Sequence, residues 1–508
     1  MDGRHQHTSP IAAPVIPQSR RLFVLAAVCL AALVLPLSFT GPAMATPAIA
    51  RALGGSPSAL NWITNAFMLG FGSCLMAAGT LADTYGRKRV FGAGMAMFTL
   101  LSLLLAMSPN LLILDLLRGT QGVAAACALA GGTAVLAQEF EGAERSRALS
   151  LLGTTFGVGL AFGPLLAGVL VAQLSWRASF VSSALIGAVA LRFGWPLMRE
   201  SRDPQASGLD WPGTLSFTGA LTLFTCAVLQ GPALGWAHPA TLAGFAASLA
   251  LLAAFVCIEQ RSRRPMLDLS LLRYPRFVGV QLLPIGTCYC YVVLLVLLPA
   301  RLIGIDGRSE VEAGLVMLSL SAPMLLVPYL AALLSRRIAA SLLCGVGLLM
   351  AACGLCWLAE LPLQASRGAL AGPLLLIGTG TGLPWGLMDA LSLSVVPTER
   401  AGMATGIFST TRVAGEGVAL AIVSALLTGL IANQMQDAQA ARLLASGQLE
   451  AAMRQLPQLS RAMLEGRYAV SFVTLLHALA GVTVVAALAA FLCLGRETTP
   501  AAAGHGDA

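Results

Sequence analysis

Lysine is all but missing: among 31 basic residues Lys88 is the single lysine, and charged residues of both signs make up only 11% of the 508-residue chain. Soluble domains carry about a quarter. A chain so poor in charge cannot coat a globular surface with water-binding groups, which excludes an ordinary soluble protein. Histidine is also scarce, with five residues, and two of them, His5 and His7, fall in a polar, proline-containing tail where they are not read as ligands. No histidine–carboxylate cluster, nucleophile elbow or phosphate-cradling Gly-Lys-Ser/Thr loop is present, so the chain is read as neither an enzyme nor an ATP-driven pump. The +8 balance is scattered over loops instead of gathered in one patch, which argues against a nucleic-acid partner. Eleven cysteines sit inside apolar runs as small packing residues, and the spacings Cys288/Cys290 and Cys353/Cys356 are weak metal signals. No metal and no cofactor are expected.

What the chain has in abundance is apolar sequence, 57% of residues, with a mean hydropathy of +0.80. Bilayer-crossing runs of ~20 residues fall near 22–42, 59–80, 89–107, 110–134, 149–172, 179–197, 212–231, 240–258, 277–299, 313–333, 340–359, 370–396, 403–431 and 468–494. The pattern predicts an all-α polytopic membrane protein of 14 spans. Its parts are a cytoplasmic tail (1–21), a six-helix half (22–198), a linker with two extra spans and an amphipathic inner-surface helix built on LDLSLLRYPRF (199–276), a second six-helix half (277–495) and a cytoplasmic tail (496–508). The arginine-rich loops then fall on the cytoplasmic side. The connection 432–467 is the longest on the other side and is read as holding a short helix. The first apolar run is read as a span, not a cleaved leader.

The densest charge between two spans is GTLADTYGRKRVF, residues 79–91. Gly79 is read as a close helix approach and Gly86 as a turn residue. Arg87, Lys88 and Arg89 suit anionic headgroups of the inner leaflet. Asp83 gains nothing from lipid, so it is assigned to a helix N-terminus or an arginine. A weak echo, LAALLSRRI at 330–338, lines up with LADTYGRKR at 81–89 and supports two related halves.

The loop resembles the signature between the second and third helices of the major facilitator superfamily. RGTQG (Arg118, Gln121, Gly122) resembles the family's fourth-helix motif, and Gly159, Gly163, Pro164 and Gly168 resemble its fifth-helix exporter pattern G-x-x-x-G-P-x-x-x-G. With Trp176, Arg177 and TRVAG at 411–415, the resemblance extends to the fourteen-helix drug:proton antiporter branch. It implies two pseudo-symmetric six-helix halves plus two central helices, and Asp83 at the inner end of the helix beginning near Gly402. That branch carries an acid in its first helix; here LSFTGPA (37–43) puts Ser38 at the acid's place and Ala43 at the asparagine's. Pro36, Pro42 and Pro47 predict a broken first helix.

Ionisable groups deep in a span are costly, about 2.5–3.5 kcal/mol each on insertion scales, so they should be paired or functional. Helical spacing lets Asp115 share a face with Arg118, and Arg412 with Glu416. Asp389 has no cation on its own helix, so it is read as an unpaired deep acid and as the proton carrier, with Arg412 and Glu416 as its setting; the alternative is that it partners Arg412 across helices. A large apolar substrate pocket is expected among Asn61, Trp62, Asn65, Phe156, Trp385 and Met388. Together these readings predict a proton-coupled exporter of an amphipathic organic compound or drug in the cell inner membrane. Its partners are a small-molecule substrate, protons and the anionic inner leaflet; the unit is a monomer, with a periplasmic adaptor as an accessory. The alternatives are an uptake symporter for an organic anion and a non-transporting sensor that keeps the fold.

Overall fold

The computed structural model describes residues 18–202, 210–262, 269–395, 401–435 and 437–494. The terminal tails 1–17 and 495–508 and part of the central linker lie outside the described residues. The first half comprises α1 (Gln18–Leu53), α2 (Pro57–Tyr85), α3 (Arg87–Ala106), α4 (Leu111–Glu139), α5 (Gly142–Gln173) and α6 (Trp176–Gly194). Two further helices follow, α7 (Trp211–Leu234) and α8 (Pro239–Arg261). The second half opens with a span made of α9 (Pro275–Thr287), a π-helical stretch (Cys288–Val292) and α10 (Val293–Gly304), then one made of α11 (Glu310–Ser321) and α12 (Val327–Leu334). It continues with α13 (Ala340–Ala359), α14 (Arg367–Ser394), α15 (Ala401–Ala432), the short α16 (Ala438–Ala445) and α17 (Leu449–Gln455), and α18 (Arg461–Leu494). Fourteen candidate spans result, and the described residues contain no strand.

Side chains at the helix starts explain several boundaries. Asn110 Oδ1 accepts the Ile113 N–H (3.0 Å), Asp210 Oδ1 accepts the Gly213 N–H (3.0 Å), and Ser309 with Glu312 forms a reciprocal capping box. Ser56 caps α2, with Pro57 at its first position. Three expectations need correction. The first helix is not broken at Pro36, Pro42 or Pro47 but runs through all 36 residues; at Pro42 the freed carbonyl, that of Ser38, finds a partner, as described below. LDLSLLRYPRF does not form an amphipathic α-helix in its described part. Leu269–Arg273 is a short 3₁₀ turn whose Leu271 plugs into a cluster with Phe277 and Ile407, and residues 263–268 lie outside the described set. The long connection carries two short helices where one was expected.

Helices α1–α6 pack among themselves, as do α9–α15 with α18, while α7 lies outside the junction of α2 and α15, with α8 packed on α7. The two halves meet along α2 and α15 and along α5 and α11, and they are also tied by charge at the end of the bundle opposite the termini. There Arg51 of α1 pairs with Glu310 of α11 at 2.7 Å, and Gly168 of α5 leaves room only for the Glu310 carbonyl.

The same end holds a fully buried ion pair, Arg301–Asp306 (3.6 Å), with side chains 2% and 1% exposed. Arg301 also lies over the Phe472 ring (4.9 Å). Burial raises the Asp306 pKa, while Arg301 and Arg308 pull it back down. Breaking a buried pair from one side leaves its partner uncompensated, at about 3–5 kcal/mol. Arg301→Met is therefore expected to lower the thermal midpoint of the purified protein, and Arg301→Met/Asp306→Leu to recover most of it. Because an acid with a raised folded pKa costs stability as pH rises through that value, the single variant should lose less at pH 5 than at pH 8. Equal losses in single and double variants, independent of pH, would assign the effect to packing alone.

Candidate functional site

Arg118 is, with Arg301, the bulkiest fully buried side chain among the described residues, and its environment differs from the one its spacing suggests. Its Nε donates to the Ile63 carbonyl of α2 (2.8 Å), Nη1 to Gln121 Oε1 (2.6 Å) and Nη2 to the Ser38 carbonyl of α1 (2.9 Å), and its guanidinium stacks on Phe67 at 4.3 Å. The Ser38 carbonyl is available for a covalent reason: Pro42, four residues on, has no N–H to give it. Arg118 thus repairs the proline gap in α1 and ties three helices together. Gln121 extends the tie by donating to Ser102 Oγ of α3 (2.8 Å). The expected Asp115–Arg118 pair does not form, and Asp115 Oδ1 is buried without a hydrogen-bond partner. Tertiary acceptors have outcompeted the helical neighbour. Ser38 itself bonds Ser183 of α6 through its hydroxyl (3.2 Å).

The second half shows the same kind of substitution. Asp389 is not an unpaired deep acid: its side chain is 60% exposed and accepts a hydrogen bond from Arg412 Nη1 at 3.3 Å. Arg412 also faces the rings of Phe408 (5.5 Å) and Trp385 (6.0 Å). Glu416, one turn from Arg412 on α15, makes no ion pair of its own.

The exporter-pattern glycines are sites of close approach. A Cβ on Gly163 would run into Thr40 Oγ1 of α1, and one on Gly159 would stand 2.5 Å from Pro36 Cγ. On the other side of α5, Gly314 of α11 lies so near that its Cβ would be 2.9 Å from Leu165 Cα and 3.2 Å from the Pro164 carbonyl. One helix is therefore gripped by α1 of its own half and α11 of the other. Pro164 is accommodated without ending the helix.

In the charged loop, Gly86 has φ +116°, as a turn glycine should, but Gly79 faces open space, so it is not a close-packing glycine. Asp83 Oδ1 accepts both Arg87 Nε (3.0 Å) and Nη2 (2.9 Å). The expected contact with the start of α15 involves Gly402, whose side-chain surroundings lie outside the described residues. The three cations are engaged by protein groups, in addition to any lipid. Arg87 takes Asp83, Lys88 lies over Trp195 (5.4 Å) and Arg89 pairs with Glu200 (3.4 Å). Glu200 also accepts the Lys88 N–H (3.2 Å), and the Arg87 N–H goes to the Ser201 carbonyl (2.9 Å). Sequence reasoning missed Glu200. The signal was there: three cations at the positive end of α3, with no capping side chain, require an anion from elsewhere.

The six pocket residues do not converge. Trp62 packs with Phe224, Val228, Ala421 and Ala425 at the α2–α7–α15 junction, and Asn65 lines a narrow crevice there. Trp385 stands edge-on to Tyr291 (6.2 Å) in the second half, Met388 is fully buried, and Phe156 packs on the main core. Asn61 is half-buried and gives its carbonyl to Asn65 Nδ2 (2.9 Å).

Two six-helix halves in contact, two further apolar helices beside them, and ionisable groups buried within each half define a polytopic membrane protein of the transporter class. Comparison with known proteins gives the family: the Major Facilitator Superfamily model matches residues 27–420, and the chain belongs to that superfamily. It is 31% identical over 395 residues (77% of this chain, 73% of the relative) to the multidrug resistance protein Stp of Mycobacterium tuberculosis. It is 33% identical to the cephamycin export protein CmcT of Amycolatopsis lactamdurans (75% and 79% covered) and 31% identical to the puromycin resistance protein pur8 of Streptomyces alboniger (83% and 84%). Among solved structures, a bacterial homologue of the human lysosomal transporter Spinster, inward-facing and unoccupied, superposes with a TM-score of 0.62 at 17% identity (94% of this chain, 98% of that one), a likeness of fold.

Proposed function

We propose that this chain exports an amphipathic organic compound or drug across the inner membrane in exchange for protons. The observation that carries the reading is the sharing of one arginine by two acids: Arg412 is paired with Asp389, and Glu416, one turn away on the same helix, forms no ion pair with it. One cation cannot neutralise both, so a proton must. In this reading Glu416 takes the proton while Arg412 holds Asp389, and gives it up when Arg412 turns to Glu416 as α14 and α15 rearrange. The roles first assigned to Asp389 and Glu416 are exchanged. Arg118 supports a structural role in the first half and leaves Asp115 as a second acid on the proton side. The named relatives, export and resistance proteins, support the direction.

The halves 22–198 and 277–495 move about the shared seam in this proposal, with both tails cytoplasmic and Asp83 passing from Arg87 to the start of α15. The working unit is a monomer, with a periplasmic adaptor as an accessory. Uptake of an organic anion is less well supported, because each guanidinium nitrogen of Arg118 already donates to a protein oxygen. Cells producing the chain should accumulate less of a lipophilic cationic dye than cells without it, and a proton uncoupler should erase the difference. Equal accumulation, with the protein present in the membrane, contradicts export.

A further inference from the structure

At the end of the bundle opposite the termini, the turn between α10 and α11 carries a buried acid that the exchange at Arg412 does not involve. The Asp306 side chain is 1% exposed and meets its nearest cation, Arg301 of α10, at 3.6 Å. Neither of its oxygens has a hydrogen bond, and the Nε atoms of Arg301 and Arg308 are likewise buried without one. The other charged and titratable groups around it are Arg308 in the same turn, Glu465 and Tyr468 of α18, and Arg461, which holds Glu465 at 2.7 Å. The connection between α13 and α14 closes the remaining side with its backbone. Carbonyls of Pro362 and Ala365 accept from Arg301 and Arg308, and Gln364, at φ +61°, approaches Asp306 without completing a hydrogen bond. That φ is uncommon for a residue with a side chain, and such strain persists where the surroundings impose it.

The same turn delivers one partner of the tie between the two halves. The Ile305 and Asp306 N–H groups both return to the Arg301 carbonyl (2.9 Å), the Arg308 N–H goes to the Leu302 carbonyl (2.9 Å), and Ser309 with Glu312 starts α11. So short and bonded a path fixes where Glu310 can stand, and from there it reaches Arg51 of α1 at 2.7 Å. An exposed ion pair contributes little by itself, and Arg51 is 68% exposed, so the state of the tie follows the state of the turn that carries it.

We propose that Asp306 is a second proton-binding site, separate from Glu416, and that a proton bound there holds the Arg51–Glu310 tie closed. In the folded turn the carboxyl is out of water and without hydrogen bonds, which favours its neutral form; Arg301 and Arg308 oppose this, and burial outweighs them. When the turn lifts into water the group recovers its ordinary acidity. Binding the proton therefore favours closure, and losing it favours opening. The part this plays in transport rests on the export reading: a proton taken up from outside closes that side behind the departed compound and returns the carrier to face inward.

Hydrogen exchange of the purified full chain in lipid nanodiscs reads the turn (305–310) and the end of α1 (49–54) directly, as protection relative to the free-peptide rate at the same pH. In the native chain both segments should be better protected near pH 5.5 than near pH 8, by about tenfold, the effect of a one-pH-unit difference in proton affinity between closed and open turns. Asp306→Asn, fixed neutral, should keep the higher protection at both pH values. Arg308→Gln, which withdraws a cation that favours the charged carboxylate, should move the midpoint of the change to higher pH. Glu310→Gln should leave the pH dependence of the turn and remove that of α1. Native protection that ignores pH or is greater near pH 8 overturns the proposal, as does pH dependence that persists in Asp306→Asn. If Asp306→Asn does not fold, an unmoved midpoint in Arg308→Gln overturns it instead. A turn that responds while the end of α1 does not also overturns it, since the acid then does not govern the tie. If the variants behave as expected but no proton gradient drives transport, the export reading fails and the proton site stands.

Discussion

Replacing Gly163 by leucine is expected to abolish transport. The position leaves no room for a Cβ, because Thr40 Oγ1 of α1 occupies that space, and Thr40 is itself fully buried and donates to the Pro36 carbonyl (2.9 Å). Added volume in a packed interior costs about 1–3 kcal/mol per site and forces the backbones apart. Here that displacement falls on the helix that α11 of the other half also grips, so it is transmitted to the seam between halves. Gly163→Ala should be milder and should be rescued in part by Thr40→Ala, since the next atom, Thr40 Cβ, is 3.3 Å away. Efflux rates of the single and double variants at matched membrane levels check this. Full activity of Gly163→Leu would remove the close-packing argument.

Loss of Arg118 should have the largest effect on assembly. Arg118→Met withdraws donors from the Ser38 and Ile63 carbonyls and from Gln121, and hydrogen bonds to charged groups contribute about 1.5–3 kcal/mol each. Arg118→Lys should not substitute, because three acceptors on three helices need a planar fork and not a point charge. The expected result is little folded protein, or a thermal midpoint lowered by many degrees. Adding Pro42→Ala should restore part of the loss by returning to the Ser38 carbonyl the backbone N–H that proline denies it. No recovery in the double variant would mean that the Ser38 contact is incidental.

How far the sequence could be read follows from which rules act locally. Span number, order and the exporter glycines were legible, because apolar length and small-residue spacing are properties of a single segment. The pairing of ionisable groups was legible only as an alternative, Asp389 with Arg412 across helices. Spacing correctly allowed Asp115 to face Arg118 and Arg412 to face Glu416, but carbonyls of α1 and α2 took the first arginine and Asp389 of α14 took the second. The three prolines of α1 were read as breaks because the partner of the freed carbonyl at Ser38 comes from 80 residues away. Glu200 was passed over for the same reason: its target, the start of α3, lies 112 residues upstream. The π-helical stretch Cys288–Val292 gave no warning beyond Pro284 nearby.

The central claim is that proton movement drives export through an arginine shared by two acids. Inverted membrane vesicles with an acidic interior, loaded externally with a lipophilic cationic dye, test it directly for the native chain, Glu416→Gln and Asp389→Asn. The native chain should accumulate dye in proportion to the imposed pH difference. Glu416→Gln should lose that dependence while still exchanging external for internal dye, and Asp389→Asn, which frees Arg412 for Glu416, should shift the pH at which transport is half-maximal. Gradient-driven accumulation unchanged in Glu416→Gln, or a native chain indifferent to the gradient, would contradict the account.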